Sequence, residues 1–148
     1  MSNNPDSSPA ATPASTDLSR SQQDVYDEGM ALRRAVLGSA HVDRANAAVD
    51  DFTEEFQSMI TRYAWGTIWT RPGLPRTTRS AITLTAMIAQ GHWEEFAMHV
   101  GAALTNGMTR PEIKEVLLQS AIYCGVPSAN IAFKVAQGVF AQIDGEDD

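Results

Sequence analysis

The sequence predicts an all-α protein, and three observations carry that expectation. Apolar residues recur at intervals of three and four over successive segments. No stretch alternates apolar and polar side chains with a period of two. Glycines and prolines stand where the periodic segments stop. A first, short helix is expected near Asp24 to Leu37, stopped by Gly38. From Phe52 the positions Phe56, Met59, Ile60, Tyr63 and Thr67 step at helical spacing, so a second helix should run to about Trp69. It stops before Arg71-Pro72-Gly73-Leu74-Pro75, a rigid turn by composition. The third, about Arg76 to Gln90, carries Ile82, Leu84, Ala86, Met87, Ile88 and Ala89 nearly all round, the pattern of a central or interface helix.

A fourth helix is expected from about His92 to Asn106, with Gly107 as its stop. Thr109-Arg110-Pro111-Glu112 has the spacing of a capping box, with Pro tolerated in the first turn. It opens a fifth helix with Ile113, Val116, Leu117, Ser120, Ala121 and Cys124 on one face. Gly125 ends that helix, and a sixth begins at Pro127 with Ala129, Ala132, Phe133, Ala136, Phe140 and Ile143 inward. About six helices are therefore expected between residues 21 and 143. Residues 1–20 are mostly Ser, Pro, Ala, Thr and Asn and cannot bury enough apolar surface to offset their ordering entropy, so they read as a disordered tail. Residues 144–148 read as an acidic tail. No internal repeat is visible.

The 148 residues suffice for one domain with one real core. A single cysteine excludes a disulfide framework and any Cys-x-x-Cys redox or zinc pair. A formal charge of −7 argues against a nucleic-acid coat, which needs a basic surface. No run approaches the ~18 apolar residues of a membrane span, and the polar N-terminus is not a signal peptide. The expectation is a soluble, cytoplasmic protein of a reducing compartment. Arginine outnumbers lysine nine to two, a bias that suits held carboxylates as well as ordinary surface solvation.

The most informative stretch is His92-Trp93-Glu94-Glu95-Phe96-Ala97-Met98-His99. At helical spacing His92, Glu95 and His99 fall within a sector of about 60°, bordering the apolar stripe of Trp93, Phe96, Val100, Ala103 and Leu104. Titratable groups at the edge of a buried stripe suit acid–base work, and they equally suit a solvated or interface polar seam. Helix-borne metal pairs use i and i+4 histidines, and that signature is missing here, so no metal is expected. Cys124 reads as a packed small hydrophobe. Trp65 and Trp69 lie i, i+4 and read as packing residues. Among Arg33, Arg34, Arg62, Arg71 and Arg79, one or two could clamp a ligand carboxylate with a bidentate fork.

Five segments in order carry a resemblance: Leu32-Arg33-Arg34-Ala35-Val36-Leu37-Gly38, His41-Val42-Asp43-Arg44, Arg71-Pro72-Gly73-Leu74, Asn106-Gly107-Met108-Thr109 and Tyr123-Cys124-Gly125-Val126-Pro127. Together they resemble the 4-carboxymuconolactone decarboxylase family of protocatechuate catabolism, over about Gly29 to Phe140. The resemblance implies an alkylhydroperoxidase-like helical subunit in a ring oligomer, commonly a hexamer, with no cofactor and a dianionic lactone as substrate. Thiol-dependent relatives carry Cys-x-x-Cys-x-x-x-His. Laid on this chain the final His is His99, and the cysteine positions become His92 and Glu95. What the resemblance implies for the site is His99 as general acid, Glu95 as its orienter or proton relay, and His92 as auxiliary. Arg33 and Arg71 would hold the substrate's carboxymethyl group. Two other readings stand beside it: a thiol peroxidase or disulfide reductase of the same fold, against which a lone cysteine argues, and a non-enzymatic helical oligomer that binds through a polar seam.

Overall fold

The computed structural model describes residues 19–146. All of the expected N-terminal tail except Ser19 and Arg20 lies outside the described residues, as do the last two residues of the chain. Among the described residues there are only helices and their connections: α1 (Gln22–Leu37), α2 (Ser39–Ala47), α3 (Glu54–Ile60) continuing into a π-helical segment (Thr61–Trp69), α4 (Arg76–Gln90), α5 (Trp93–Thr105), α6 (Arg110–Tyr123) and α7 (Val126–Glu146). The all-α expectation holds, with seven α-helices rather than six. None of them is long and apolar enough to cross a membrane.

Local chemistry explains most boundaries. Ser21 and Asp24 form a reciprocal capping box at the start of α1, and Thr109 and Glu112 form another at the start of α6. α4 runs between Pro75 and Gly91, whose φ of 70° is the left-handed stop that favours glycine. α2 escapes the sequence reading because its nine residues bury only Val42, too little periodicity to register. Gly38, at φ 88°, makes the corner between α1 and α2 without a spacer. α7 extends to Glu146, into the segment read as an acidic tail. There Asp144 accepts both Nη groups of Arg110, at 3.1 and 2.5 Å, and lies in the last turn of the helix.

Two apolar clusters form the interior. One joins α4, α5, α6 and α7 through Leu84, Ile88, Phe96, Val100, Ile113 and Leu117. The other joins α1, the π segment and α5 through Leu32, Val36, Trp65 and Ala102. α5 therefore contributes to both, and the residues on its second face look toward α1.

The π segment is fixed by a close approach. A Cβ on Gly29 would stand 2.2 Å from the Thr61 carbonyl oxygen, and one on Gly66 would stand 2.2 Å from the Val25 carbonyl oxygen. α1 and the π segment thus touch backbone to backbone at two glycines. The Thr67 hydroxyl donates to the carbonyl of Arg62 five residues back, at 2.9 Å, in keeping with the wide turn. This contact turns Thr61, Trp65 and Gly66 inward. The apolar stripe of the sequence lies mainly on the other side, leaving Phe52 93% exposed, with Phe56, Met59 and Tyr63 also exposed.

Candidate active site

His99 lies on α5 one and two turns beyond Glu95 and His92, on the side that meets the π segment. Its ring is held by a stack of aromatic planes: Trp65 on Trp69 at 5.3 Å and 25°, then Trp69 on His99 at 6.4 Å and 9°. The imidazole is largely buried, and its Nδ1 is buried with no hydrogen-bond partner. Burial pushes its pKa below the ordinary histidine value of 6.5, and the nearby Glu95 charge pulls the other way. The free protein therefore holds His99 neutral near pH 7, with one polar atom unused.

Trp69 also forms a wall of a cavity of about 480 Å³, together with Glu28, Leu32, Arg71, Leu74 and Arg76. That size suits a small organic molecule, and two guanidinium-bearing residues give it a preference for carboxylates. The loop that supplies Arg71 is braced from α4, where Arg79 Nη2 donates to the Arg71 carbonyl at 3.1 Å. Trp69 thus joins the buried imidazole to the arginine-bearing cavity.

The sequence-predicted residues are distributed unevenly over this arrangement. His99 and Arg71 come together around Trp69. Glu95 is exposed and makes no hydrogen bond to His99, so its influence is a through-space charge and the ring is oriented by Trp69. His92 stands at the N-cap position of α5 without a side-chain capping bond, is exposed, and bonds the Gln90 side chain at 3.0 Å. It stands about 10 Å along the helix from His99. Arg33 is buried on the opposite face of α1 from the cavity, held by Thr61 and Gln57. Trp69 and Arg76 are the residues that sequence reasoning did not assign to the site. The signal was the Trp65–Trp69 pair directly before the Arg71-Pro72 turn, which periodicity could only read as packing.

Among the described residues no three His, Cys, Asp or Glu side chains gather as a metal-binding group. Cys124 is a free, half-buried thiol at the C-cap of α6. It packs against the α4–α7 cluster, whereas Trp69, on which His99 stacks, lies with the other. Cys124→Ser is expected to keep activity within about threefold of wild type, because it is a modest polar change at a packing position. Loss of turnover in a folded Cys124→Ser protein would bring the thiol into the chemistry.

Comparison with known proteins adds a consistent set of likenesses. Residues 54–138 match the carboxymuconolactone decarboxylase family. The chain is 42% identical over 118 residues to a 4-carboxymuconolactone decarboxylase of Acinetobacter baylyi, covering 80% of this chain and 88% of that one. It is 45% identical over 113 residues to a nitrosuccinic acid decarboxylase of Metarhizium robertsii, covering 76% and 79%. A 4-carboxymuconolactone decarboxylase sequence from Pseudomonas putida matches 41 residues at 63% identity, covering 28% of this chain and 85% of that one.

Proposed function

The chain belongs to the carboxymuconolactone decarboxylase family, and on that premise we propose that it decarboxylates 4-carboxymuconolactone to the β-ketoadipate enol-lactone without a cofactor. The observation that carries this reading is the half-buried imidazole of His99, its Nδ1 buried without a partner, joined through Trp69 to a cavity bearing Arg71 and Arg76. The substrate bears a carboxylate on the γ carbon of an unsaturated lactone. When the bond to that carboxylate breaks, CO2 leaves and the electron pair flows through the ring double bond into the lactone carbonyl. The substrate is its own electron sink. The protein's tasks are to hold the dianion, place the departing carboxylate in a desolvated position, and protonate the α carbon of the dienolate.

Arg71, with Arg76 beside it, is the clamp for the retained carboxylate, and His99 delivers the proton. Glu95 adds negative charge near the ring, and His92 is at most auxiliary. The depressed pKa of His99 fits this role once substrate is counted, since two carboxylates arriving nearby favour the imidazolium and draw a proton onto it. The expected pH dependence follows. The rate through the protonated acid falls as pH rises, so kcat/KM, which reports the free enzyme, should fall with an apparent pKa below 6.5. kcat, which reports the complex, should hold to higher pH. Coincident limbs, or a kcat/KM limb above 6.5, would contradict proton uptake on binding.

The likeness to a nitrosuccinic acid decarboxylase favours a second substrate reading. In nitrosuccinate the carboxylate lost from the nitro-bearing carbon leaves its electrons in a nitronate, which also ends in protonation at carbon. Both substrates are dicarboxylates whose departing carboxylate sits next to an acceptor. Comparing kcat/KM for freshly generated 4-carboxymuconolactone and for nitrosuccinate separates them. The lactone is expected to be preferred, and a preference for nitrosuccinate would reassign the substrate while leaving the acid–base chemistry intact.

We also infer a homo-oligomer, with a hexameric ring as the form the family resemblance implies. What supports it is apolar surface that one subunit leaves open: the Phe52–Tyr63 stripe on one side, and Ile122, Tyr123 and Val126, 78%, 82% and 69% exposed, on another. Light scattering should return a multiple of 16.0 kDa at micromolar concentration. A monomer mass would contradict it.

A further inference from the structure

Arg33 is only 7% exposed, and among the described residues no carboxylate pairs with it. Its Nη1 and Nη2 donate to Thr61 Oγ1 and Gln57 Oε1, both at a long 3.4 Å, and its Nε is buried with no partner. A buried guanidinium held only by neutral oxygens is expensive, because removing a charge from water costs several kcal/mol unless an opposite charge offsets it. Gln57 and Thr61 both line a cavity of about 500 Å³ between α1, α2 and α3. Tyr26 and Arg62 line it as well, and the Nε of Arg62 is also buried without a partner. Glu54 stands at the same cavity and is paired with neither arginine.

This cavity is separate from the one beside Trp69. Its α1 residues are Gln22, Gln23, Tyr26 and Met30, whereas Glu28, Ala31, Leu32 and Ala35 line the other. At helical spacing these two sets lie about half a turn apart, on opposite faces of α1. We propose that the α1–α3 cavity is a second binding site, for a small organic carboxylate, in which the ligand's carboxylate pairs with Arg62 at the wall and supplies the counter-charge for Arg33. Arg33 lies behind Gln57 and Thr61 rather than in the lining itself. Tyr26, Gln57 and Thr61 offer the additional hydrogen bonds that fix such an anion. The site goes beyond the proposed decarboxylation and stands whether or not the lactone is the substrate.

Succinate at constant ionic strength is the probe, with melting temperature and calorimetric binding as readouts on the full chain. Wild type should melt about 4 °C higher at ten times the succinate dissociation constant. Arg33→Met should weaken succinate binding at least tenfold, and without succinate it should melt no lower than wild type, since an unpaired buried charge has been removed. Arg62→Gln, at a half-buried position, should weaken binding in the same direction and serves if Arg33→Met does not fold. Arg71→Gln removes the clamp of the Trp69 cavity, so in that background succinate should still bind and Arg33→Met should still weaken the binding that remains. The proposal is overturned if succinate does not bind, if Arg33→Met and Arg62→Gln bind it as wild type does, or if Arg71→Gln abolishes binding. Sulfate matching succinate would overturn the carboxylate assignment.

Discussion

His99→Gln is expected to lower the decarboxylation rate by about 10²–10⁴ while leaving the fold intact, the range for loss of a positioned acid–base group. Gln is a good helix former and similar in reach, so α5 and its stack with Trp69 tolerate the change better than truncation would. What is lost is the ability to carry a proton between solvent and the dienolate carbon. Glu95→Gln should cost less than tenfold, because Glu95 makes no hydrogen bond to the ring and acts only through its charge. Removing that charge should also move the kcat/KM limb to lower pH, since Glu95 raises the His99 pKa. A folded His99→Gln enzyme with more than half the wild-type rate would place the acid elsewhere.

The largest expected stability effect is at the crossing of α1 and the π segment. Gly29→Ala should destabilise the protein by about 3 kcal/mol, the upper end of ordinary overpacking. In melting temperature that is a fall of roughly 6–12 °C for a chain of this size. The reason is the nature of the obstacle. The added Cβ meets the Thr61 carbonyl oxygen at 2.2 Å and the Gly66 nitrogen at 2.7 Å, both backbone atoms with no rotamer to change. The two helices must separate, and Trp65 and Trp69 move with the π segment. Gly138→Ala is the control: it is exposed within α7, nothing lies within 4 Å of its added Cβ, and it should be neutral or stabilising by up to about 1 kcal/mol. Equal melting of Gly29→Ala and wild type would show that the close approach is not needed.

The parts of the fold legible in the sequence are those set by local chemistry. Thr109 and Glu112 announce α6 because a capping box involves only four consecutive residues. α4 has the expected bounds because Pro75 and Gly91 punctuate it. His99 was legible as a titratable group at the edge of an apolar stripe, and Arg71 as a residue of a rigid turn. What could not be read depends on contacts between distant segments. The π segment arises from the meeting of Gly29 and Gly66, thirty-seven residues apart in the chain, and nothing in residues 61–69 alone distinguishes it from an α-helix. Trp65 packs inward as its spacing with Trp69 suggests, whereas Phe52, Phe56, Met59 and Tyr63 of the expected apolar stripe stand exposed, which local periodicity cannot foresee. Arg33 and Arg71 are indistinguishable as candidate clamps in the sequence; the fold separates them, with Arg71 in the wall of the Trp69 cavity and Arg33 buried behind Thr61 and Gln57 on the other face of α1.

The central claim is that carbon protonation by His99 completes a decarboxylation in which the substrate holds its own electrons. Running single turnovers of freshly generated 4-carboxymuconolactone in deuterated water tests it most directly. The predicted result is one equivalent of CO2 and an enol-lactone carrying one deuterium at its α carbon, formed by wild type in the presence of a chelator and without added thiol, and formed at least a hundredfold more slowly by His99→Gln. Wild-type enzyme that releases no CO2 from the lactone, or a His99→Gln enzyme that forms the deuterated product at the wild-type rate, would contradict it.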